Sequence, residues 1–273
     1  MLRLSDHDVD AISVGGLETC IQLPAWNLAF DFGRCPPGLV HQDRILCTHA
    51  HLDHLGGIAT YAATRDLIGL GPPTVWVPAE NHADVLALFD VWRRLDKSDL
   101  PVDVRPCAPG DRIPLGPNRH ALVFRAPHRV RAHGYALVST RKRLSAAYAG
   151  RSQGEIRDAR LAGAEVSESV ETVEVAFTGD SRIEVVEREA AVRTARLLIM
   201  EVTFLDDRVS VEKSRSSGHI HLDEVIERAH LFENASILFT HFSARYSAAD
   251  IVRILADRLP PLLRDRVTPL LPG

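Results

Sequence analysis

The chain has 273 residues, of which 45% are hydrophobic, and its formal net charge is −4 at pH 7. This length and apolar content allow a sizeable core. The acidic balance excludes a global positive field and with it strong nonspecific nucleic-acid binding, although a local basic patch can still exist. No apolar run approaches the roughly 20 residues needed to cross a bilayer, and no signal peptide opens the chain. We therefore expect a cytoplasmic protein without a membrane partner.

Two strands joined by a turn are the first predicted elements. They cover residues 18–23 and 27–32, and the turn residues Pro24, Ala25 and Trp26 between them predict a hairpin. Asp31 lies near the end of the second strand. Its carboxylate could orient a metal-binding loop by accepting the second N–H of a ligating histidine. An ordinary aspartate in a turn before a glycine is an equally good interpretation.

The segment 48–57 contains the strongest chemical signal. It reads Thr-His-Ala-His-Leu-Asp-His-Leu-Gly-Gly, so His49, His51, Asp53 and His54 fall within six residues. Imidazoles and carboxylates are ligands for a borderline cation such as Zn²⁺. An apolar strand at 44–47 precedes the segment and a helical spacing follows it, which predicts a strand-to-helix loop. If the loop curls back, the first two histidines can face one cation and Asp53 and His54 a second. Isolated histidines are usually surface or packing residues, but four metal-type residues in six argue against that interpretation.

The middle of the chain alternates core elements with candidate ligands. We predict a strand at 74–77, a helix at 84–95, one strand among the turns of 101–117, and a strand at 120–126. His128 and His133 share the loop that follows, and either could reach a shared metal site. The predicted helix has a stripe assigned to the core, formed by Val85, Leu88, Phe89 and Trp92.

The segment 141–172 is the most polar part of the chain. Glycines interrupt one short helical pattern that runs through Glu155 and Leu161, so we expect a short arm or excursion here. Basic residues around it could contact a phosphate backbone. A solvated charged edge is the alternative interpretation. The candidate RNA-binding residues are Arg129, Arg131, Arg141, Lys142, Arg143 and Arg151.

Three further buried strands are followed by residues that can bind a metal or transfer a proton. Strands at 173–177, 197–200 and 236–239 lead into Asp180, Glu201 and His241, and Gly218-His219 precedes a predicted helix. A carboxylate such as Asp180 can bridge two cations. The recurring order of strand, metal-type residue and helix, without an internal repeat, predicts a single α/β domain over 1–273. We expect four layers, with helices outside two packed sheets and the site along one edge. The four scattered cysteines are expected to be reduced.

The motif His49-x-His51-x-Asp53-His54, with the later His128, Asp180 and His241, resembles the metallo-β-lactamase superfamily. The resemblance implies an αβ/βα sandwich, two packed mixed sheets flanked by helices, with one or two metals. The stretches 200–204 (Met-Glu-Val-Thr-Phe), 218–219 (Gly-His) and 240–246 (Thr-His-Phe-Ser-Ala-Arg-Tyr) resemble the ribonuclease Z family, in particular its short plant-like form. Members of that family remove the 3′ trailer from precursor transfer RNA.

This resemblance assigns roles to individual residues. It implies that Glu201 and His219 handle protons. On chemical grounds, Asp53 could also accept a proton while it binds metal. The resemblance also implies a homodimer. Two features depart from the family: Ile220 and His221 follow His219 where small hydroxyl residues are common, and the segment before Asp180 is short for the arm of many bacterial members. The implied zinc ligands are His49, His51 and His128 for one ion, Asp53, His54 and His241 for the other, and Asp180 as the bridge.

Two cations roughly 3.5–4 Å apart can lower the pKa of a water and stabilise an oxyanion, so we expect phosphodiester hydrolysis. The transfer RNA would keep a 3′-hydroxyl and the trailer a 5′-phosphate. An imidazole held by a carboxylate can protonate the leaving oxygen, which suits His219 and Glu201. The alternative is a related hydrolase of a small ester, thioester, lactone, sulfate or phosphodiester, with the same ligands but no need for that pair. A redox di-iron protein is disfavoured, because that branch typically has a glutamate in place of His51.

Overall fold

The first half of the chain forms a seven-stranded sheet, in the order β1 to β7. A computed structural model describes residues 1–272 of the protein. The strands β1 to β4 pair in antiparallel fashion, and β4 to β7 pair in parallel. The strands are β1 (Leu2–Leu4), β2 (His7–Val14), β3 (Glu18–Leu23), β4 (Leu28–Phe30), β5 (Arg44–Leu46), β6 (Thr74–Pro78) and β7 (Asp103–Cys107).

The second half repeats this plan in a second seven-stranded sheet, in the order β14 to β8. The strands β8 to β11 are antiparallel neighbours, and β11 to β14 are parallel neighbours. Parallel strands have their carboxyl ends at one edge, where loops collect functional residues. The strands are β8 (Arg112–Gly116), β9 (Arg119–Ala126), β10 (Ala132–Leu144), β11 (Ser167–Phe177), β12 (Leu197–Glu201), β13 (Ser236–Thr240) and β14 (Val267–Pro269).

Helices cover the outer face of each sheet. The helices that follow the first-sheet strands are α1 (Leu52–Leu55), α2 (Ile58–Leu67) and α3 (His82–Asp96). The helix α4 (Gln153–Leu161) lies in the segment between β10 and β11. The remaining helices are α5 (Glu184–Arg188), α6 (Ala190–Thr194), α7 (Val211–Ser217), α8 (Leu222–Glu227), α9 (Ala248–Arg258) and α10 (Pro261–Arg264). None of the helices in residues 1–272 is long and apolar enough to cross a membrane.

Three hydrophobic cores separate the four layers. The central core packs the two sheets against each other, for example through Phe30 against Tyr135 and Phe177. One outer core joins the first sheet to α1, α2 and α3, and the other joins the second sheet to α5, α6 and α8 to α10. Strands between two cores are buried on both faces, which explains the continuous apolar run of β12. The predicted four-layer α/β architecture is confirmed.

Several sequence predictions need correction at the level of single elements. The segment 101–117 contains two strands, β7 and β8, where one was predicted. In α3 only Val85 and Phe89 of the predicted core stripe are buried, and Leu88 is 39% exposed. The segment 141–172, predicted as a short arm or excursion, needs no such correction: it consists of the outer ends of β10 and β11 with α4 between them. The strands β1 and β2 were not predicted.

Candidate metal centre

The candidate ligands stand on loops at one edge of the two sheets. His49 and His51 follow β5, Asp53 and His54 lie in α1, and His128 follows β9. Asp180 follows β11 and His241 follows β13. Parallel strands that end at the same level therefore bring residues from both halves of the chain together. The seven side chains are buried or half-buried.

Their ligand atoms form two groups, and Asp180 lies next to both. In the first group, the ligand atoms lie within 4.8 Å of one another and come from His49, His51, His128 and Asp180. In the second group, the same limit holds for Asp53, His54 and His241. Asp180 Oδ2 is 3.7 Å from His49 Nε2. Its other oxygen, Oδ1, is 3.3 Å from His54 Nε2 and 3.4 Å from His241 Nε2. One carboxylate thus faces both groups, as a bridging ligand must.

Hydrogen bonds to the outer ring nitrogens set the orientation of His54 and His128. His54 Nδ1 donates to Asp31 Oδ2 at 2.8 Å, and His128 Nδ1 donates to the Gly218 carbonyl oxygen at 2.8 Å. Burial lowers the pKa of His128, and a neutral ring that donates through Nδ1 has its lone pair on Nε2. Burial acts to lower the pKa of His54 as well, but Asp180 and Asp31 hold it well above its usual value, so this ring gives up a proton when Nε2 binds a cation. Both Nε2 atoms are buried and lack a hydrogen-bond partner among residues 1–272. Buried polar atoms without partners are costly, so these two atoms fit a site that holds cations.

Two threonines connect further histidines to carboxylates. The Thr48 hydroxyl donates to Asp31 Oδ2 at 2.8 Å and lies 2.9 Å from His49 Nδ1, from which it can accept. The Thr203 hydroxyl donates to Glu201 Oε2 and lies 3.0 Å from His241 Nδ1. A chain from imidazole to hydroxyl to carboxylate fixes the ring and leaves Nε2 facing the centre. These threonines were not predicted as site residues, because a hydroxyl acting through a histidine has no signature in the spacing of ligands.

Asp31 resolves a question that the sequence left open. Its side chain is fully buried and accepts from the Thr48 backbone N–H at 2.7 Å as well as from the two side chains described above. Burial raises the pKa of Asp31, and His54 and Thr48 act in the opposite direction. Asp31 has φ of 57°, a left-handed conformation that a non-glycine residue rarely adopts. Its carboxylate therefore supports the ligand loop, and the ordinary turn residue is the wrong interpretation.

The electrostatics of the centre suit cation binding. Burial lowers the pKa of His49 strongly, and that of His51 and His128 as well, so these rings are neutral and have lone pairs available. Burial would raise the pKa of Asp180, but His241 and His54 outweigh it and hold the pKa well below its usual range. Burial likewise acts to raise the pKa of Asp53, yet the hydrogen bond from His241 and the charge of His54 hold it at about 2.

Glu201 and His219 form a pair beside the two groups. His219 Nδ1 donates to Glu201 Oε1 at 2.9 Å, and Glu201 also accepts the backbone N–H groups of Ser181 at 2.8 Å and Ile220 at 3.2 Å. Burial alone would lower the pKa of His219, but Glu201 raises it to about 9. Glu201 therefore favours the protonated form of the ring. The ring also stacks on His241, with ring centroids 5.3 Å apart, so it lies within the centre.

The structure separates the remaining candidates. His133 lies within β10 with its Nδ1 3.8 Å from Cys107 Sγ, away from the ligand groups, whereas His128 lies among them. Arg129 and Arg131 are near the centre, because they follow His128. Four of the six basic candidates lie instead near the other end of β10 or beyond it, and this 13-residue strand is roughly 40 Å long. These are Arg141, Lys142, Arg143 and Arg151. The structure does not bring the six together as one patch.

Comparisons with known proteins find relatives over the whole length of the chain. A family profile described as "Beta-lactamase superfamily domain" matches residues 26–242. The chain is 40% identical to tRNase Z TRZ1 of Arabidopsis thaliana over 274 aligned positions, which cover 100% of this chain and 98% of that protein. It is 35% identical to the chloroplastic tRNase Z TRZ2 of the same plant, covering 100% of this chain and 77% of that protein.

Solved structures share the fold at low sequence identity. Human tRNase Z, short form, superposes with a TM-score of 0.59 at 19% identity, covering 87% of this chain and 93% of that one. A metallo-beta-lactamase fold protein of Bacillus subtilis, YhfI, superposes with a TM-score of 0.60 at 15% identity, covering 97% of both chains. These likenesses establish the architecture of two packed sheets flanked by helices.

Proposed function

The chain belongs to the tRNase Z family, within the beta-lactamase superfamily, and on this premise we propose that it is the endoribonuclease that removes the 3′ trailer from precursor transfer RNA. It is a metal-dependent hydrolase. The observation that carries the proposal is the Glu201–His219 pair, which is hydrogen-bonded at 2.9 Å and lies directly beside the two ligand groups. A proton donor at that place suits a reaction that releases a ribose oxygen.

We assign two divalent cations, zinc in the first place, to the two ligand groups, with Asp180 next to both. His49, His51 and His128 would hold one cation, and Asp53, His54 and His241 the other. Imidazole and carboxylate donors suit Zn²⁺. When bound, the two cations supply Lewis-acid charge and lower the pKa of water. Elemental analysis after zinc loading should give two ions per chain. At most one ion per chain after saturation would contradict this assignment.

The residues of the chain itself control the proton that the leaving group needs. His219, held at Nδ1 by Glu201, would donate the proton on its other ring nitrogen, Nε2, to the 3′ oxygen of the transfer RNA. Glu201 is fixed by the Ser181 and Ile220 amides and the Thr203 hydroxyl, so it keeps the ring in one orientation. Asp53, which accepts the Gly16 N–H at 2.9 Å, can take a proton from the attacking water. The products are a transfer RNA with a 3′-hydroxyl and a trailer with a 5′-phosphate.

The direct experiment is incubation of the zinc-loaded protein with a precursor transfer RNA that carries a 3′ trailer, followed by mapping of both product ends. We expect cleavage on the 3′ side of the discriminator base. The alternative, a hydrolase of a small ester, thioester, sulfate or phosphodiester, is not favoured by the relatives. It would be supported if the protein hydrolysed such a compound well and released no trailer.

Three features of the whole protein complete the proposal. We propose one domain, because the central core contains residues of both sheets. We propose a homodimer from the family resemblance, and α3 exposes apolar residues such as Leu86 and Leu95 on its outer side. Mass measurement in solution tests this state. We propose the cytoplasm as the location, with which its four free cysteines are consistent, because cytosolic thiols are kept reduced.

A further inference from the structure

A basic cavity adjoins the metal centre on the side of His128. It has a volume of about 310 Å³, and its walls are formed by the segment around Pro127 and by the chain that follows Asp180. Four arginines line it, and the ligand His128 forms part of the same wall. We call this cavity the arginine pocket. The arginines are Arg125, Arg131, Arg182 and Arg188.

Three of these guanidinium groups have no carboxylate partner. Among residues 1–272, Arg125, Arg182 and Arg188 make no ion pair within 4.0 Å, and Arg131 has only Glu80, at 3.7 Å between two exposed side chains. Arginines in the adjacent helices α7 and α8 and at their ends do have carboxylate partners. Arg215 pairs with both Glu184 and Glu224, and Arg228 pairs with Glu187. The acidic side chains near the pocket therefore form ion pairs with other arginines, and the pocket keeps an excess of positive charge.

Arg182 is held in place for binding. Its backbone N–H donates to the Pro127 carbonyl oxygen at 2.6 Å, and its side-chain Nε donates to the Arg215 carbonyl oxygen at 2.8 Å. The side chain is half-buried, and its two terminal nitrogens make no hydrogen bond to residues 1–272. A planar guanidinium fixed at Nε loses little rotamer freedom when its remaining donors bind an anion, and phosphate oxygens match its fork.

We propose that the arginine pocket binds a backbone phosphate of the precursor transfer RNA next to the scissile one. This inference rests on the proposed function. A net charge of −4 means that affinity for RNA must come from local sites, and neutralising phosphates is the main source of such affinity. The phosphate belongs either to the trailer or to the acceptor strand. Both sources present the same anion. Because His128 forms part of the pocket wall, an anion bound in the pocket would lie next to the metal centre.

The test uses Arg125→Ala/Arg188→Ala as the principal variant. Both side chains are exposed and make no hydrogen bond or ion pair within residues 1–272, so their removal should not disturb folding. We expect KM for the precursor to rise by roughly 10-fold with kcat nearly unchanged, because a charge-assisted contact is lost equally from ground and transition states. Arg182→Lys, which keeps the charge but loses the fork, should raise KM as well. Arg94→Ala is the matched control, an exposed and unpaired arginine on α3.

Binding measurements separate a phosphate contact from an indirect effect. In a zinc-loaded His219→Ala background, which should cut the precursor slowly enough for binding to be measured, the slope of log K against log salt should fall by about 0.7–0.9 for each phosphate contact removed. An unchanged slope together with an unchanged KM would overturn the proposal. If the wild type and the Arg94→Ala variant release no trailer in the same assay, the proposed function itself fails, and the two failures are thereby distinguished.

Substrate length identifies the source of the phosphate. A precursor with a one-nucleotide trailer has no trailer phosphate beyond the scissile one, whereas a longer trailer provides the next one. If the Arg125→Ala/Arg188→Ala variant is impaired only on the long trailer, the pocket binds the trailer. If it is equally impaired on both, the pocket binds the acceptor strand. Full activity of the variant on both substrates contradicts a phosphate site here.

Discussion

Glu201 concentrates hydrogen bonds from three separate segments onto one carboxylate. Its oxygens accept from His219, from two backbone amides and from Thr203, whose hydroxyl also contacts His241. The side chain is almost completely buried. A buried carboxylate that is fully hydrogen-bonded is a rigid support, since each partner restrains the others. Glu201 therefore connects the candidate proton donor to the candidate ligand His241.

The first prediction concerns this pair. His219→Ala and Glu201→Gln should each slow trailer removal by roughly 10²–10⁴-fold, the usual scale for a positioned general acid. Their combination should be far from additive, because the two residues act as a unit. Single-turnover cleavage rates with zinc saturated give the comparison, and His230→Ala, an exposed histidine after α8, is the control. Full activity of His219→Ala would remove it as the acid, and loss of metal would make it a ligand.

A second prediction tests the support of the ligand loop. In Asp31→Asn the amide nitrogen would replace an oxygen that now accepts from His54 Nδ1 and the Thr48 hydroxyl. The amide N–H groups would then face the His54 N–H and the Thr48 hydroxyl, which are also donors. His54 would lose its orientation directly, and His49 would lose it through Thr48. We expect zinc affinity to fall by roughly 10–100-fold, as for other partners of metal ligands. Competition with a chelator measures it, with the exposed Asp66→Asn on α2 as the control. Equal affinities would show that Asp31 only stabilises the fold.

The loop from α7 to α8 positions two parts of the centre at once. Gly218 ends α7 with φ of 91°, its carbonyl oxygen accepts from His128, and the next residue is His219. A Cβ at this position would lie 2.7 Å from His128 Nδ1 and 3.0 Å from the Arg129 backbone nitrogen. The glycine is thus required both by the left-handed conformation and by the close approach of the loop that bears His128.

The third prediction follows from this contact. Gly218→Ala should displace the His128 loop, weaken zinc binding at the His49, His51 and His128 group, and reduce trailer cleavage together with it. The left-handed conformation adds a cost of roughly 1–2 kcal/mol to folding. Zinc titration and thermal unfolding measure the two effects. Gly154→Ala is the control, since Gly154 lies within α4 and a Cβ there would meet only the Ser152 hydroxyl oxygen, at an ordinary contact distance of 3.9 Å. A fully active Gly218→Ala enzyme would contradict the assigned contact.

Sequence patterns predicted the interior elements better than the edge elements. The strands β5, β12 and β13 are buried on both faces, and their unbroken apolar runs are easy to recognise. In contrast β7 and β8 are the edge strands of their sheets and contain Pro106 and Pro114. Proline is tolerated at an edge because the missing N–H would have faced outward. The same prolines made the segment look like turns, so one strand was predicted where two exist.

The candidate site was predictable where its residues are close in sequence. The composition of segment 49–54 was enough to predict it as a ligand segment. Asp180 and His241 were predicted because each follows a buried strand. Contacts such as Asp31 with His54, or Arg182 with Arg215, join residues that are 23 and 33 positions apart in sequence, and only the tertiary packing around one sheet brings them together. The six basic candidates illustrate the same limit. Segments 129–131 and 141–151 are neighbours in sequence, yet the long strand β10 separates them in space.

At the scale of the whole molecule, the extension of β10 and β11 is the most separate part of the structure. Residues 145–165 between the paired ends contain α4 and contribute nothing to the three cores. Leu144 pairs with Ser167, and the Ser145 N–H donates to the Val166 carbonyl oxygen at 3.0 Å. A two-residue Asn-Gly turn in place of residues 146–165 would close this ladder as a hairpin. The arm can therefore be shortened without opening the body of the fold.

The last prediction uses that shortened arm. Its loss should leave zinc content and the thermal unfolding of the body unchanged, because the ligands stand at the opposite end of β10 and β11. If Arg151 contacts RNA, the shortened enzyme should bind precursor more weakly, with a salt slope reduced by about 0.7–0.9 per lost contact. Cleavage should stay at the same phosphodiester, because the metal centre, and not the arm, determines which bond is hydrolysed. Arg141→Glu/Arg143→Glu in the full-length arm, which alters the retained strand ends, should weaken binding further than Arg151→Ala alone. An unchanged slope in both variants would mean that this end of the molecule does not touch the RNA, and that the affinity comes from groups near His128.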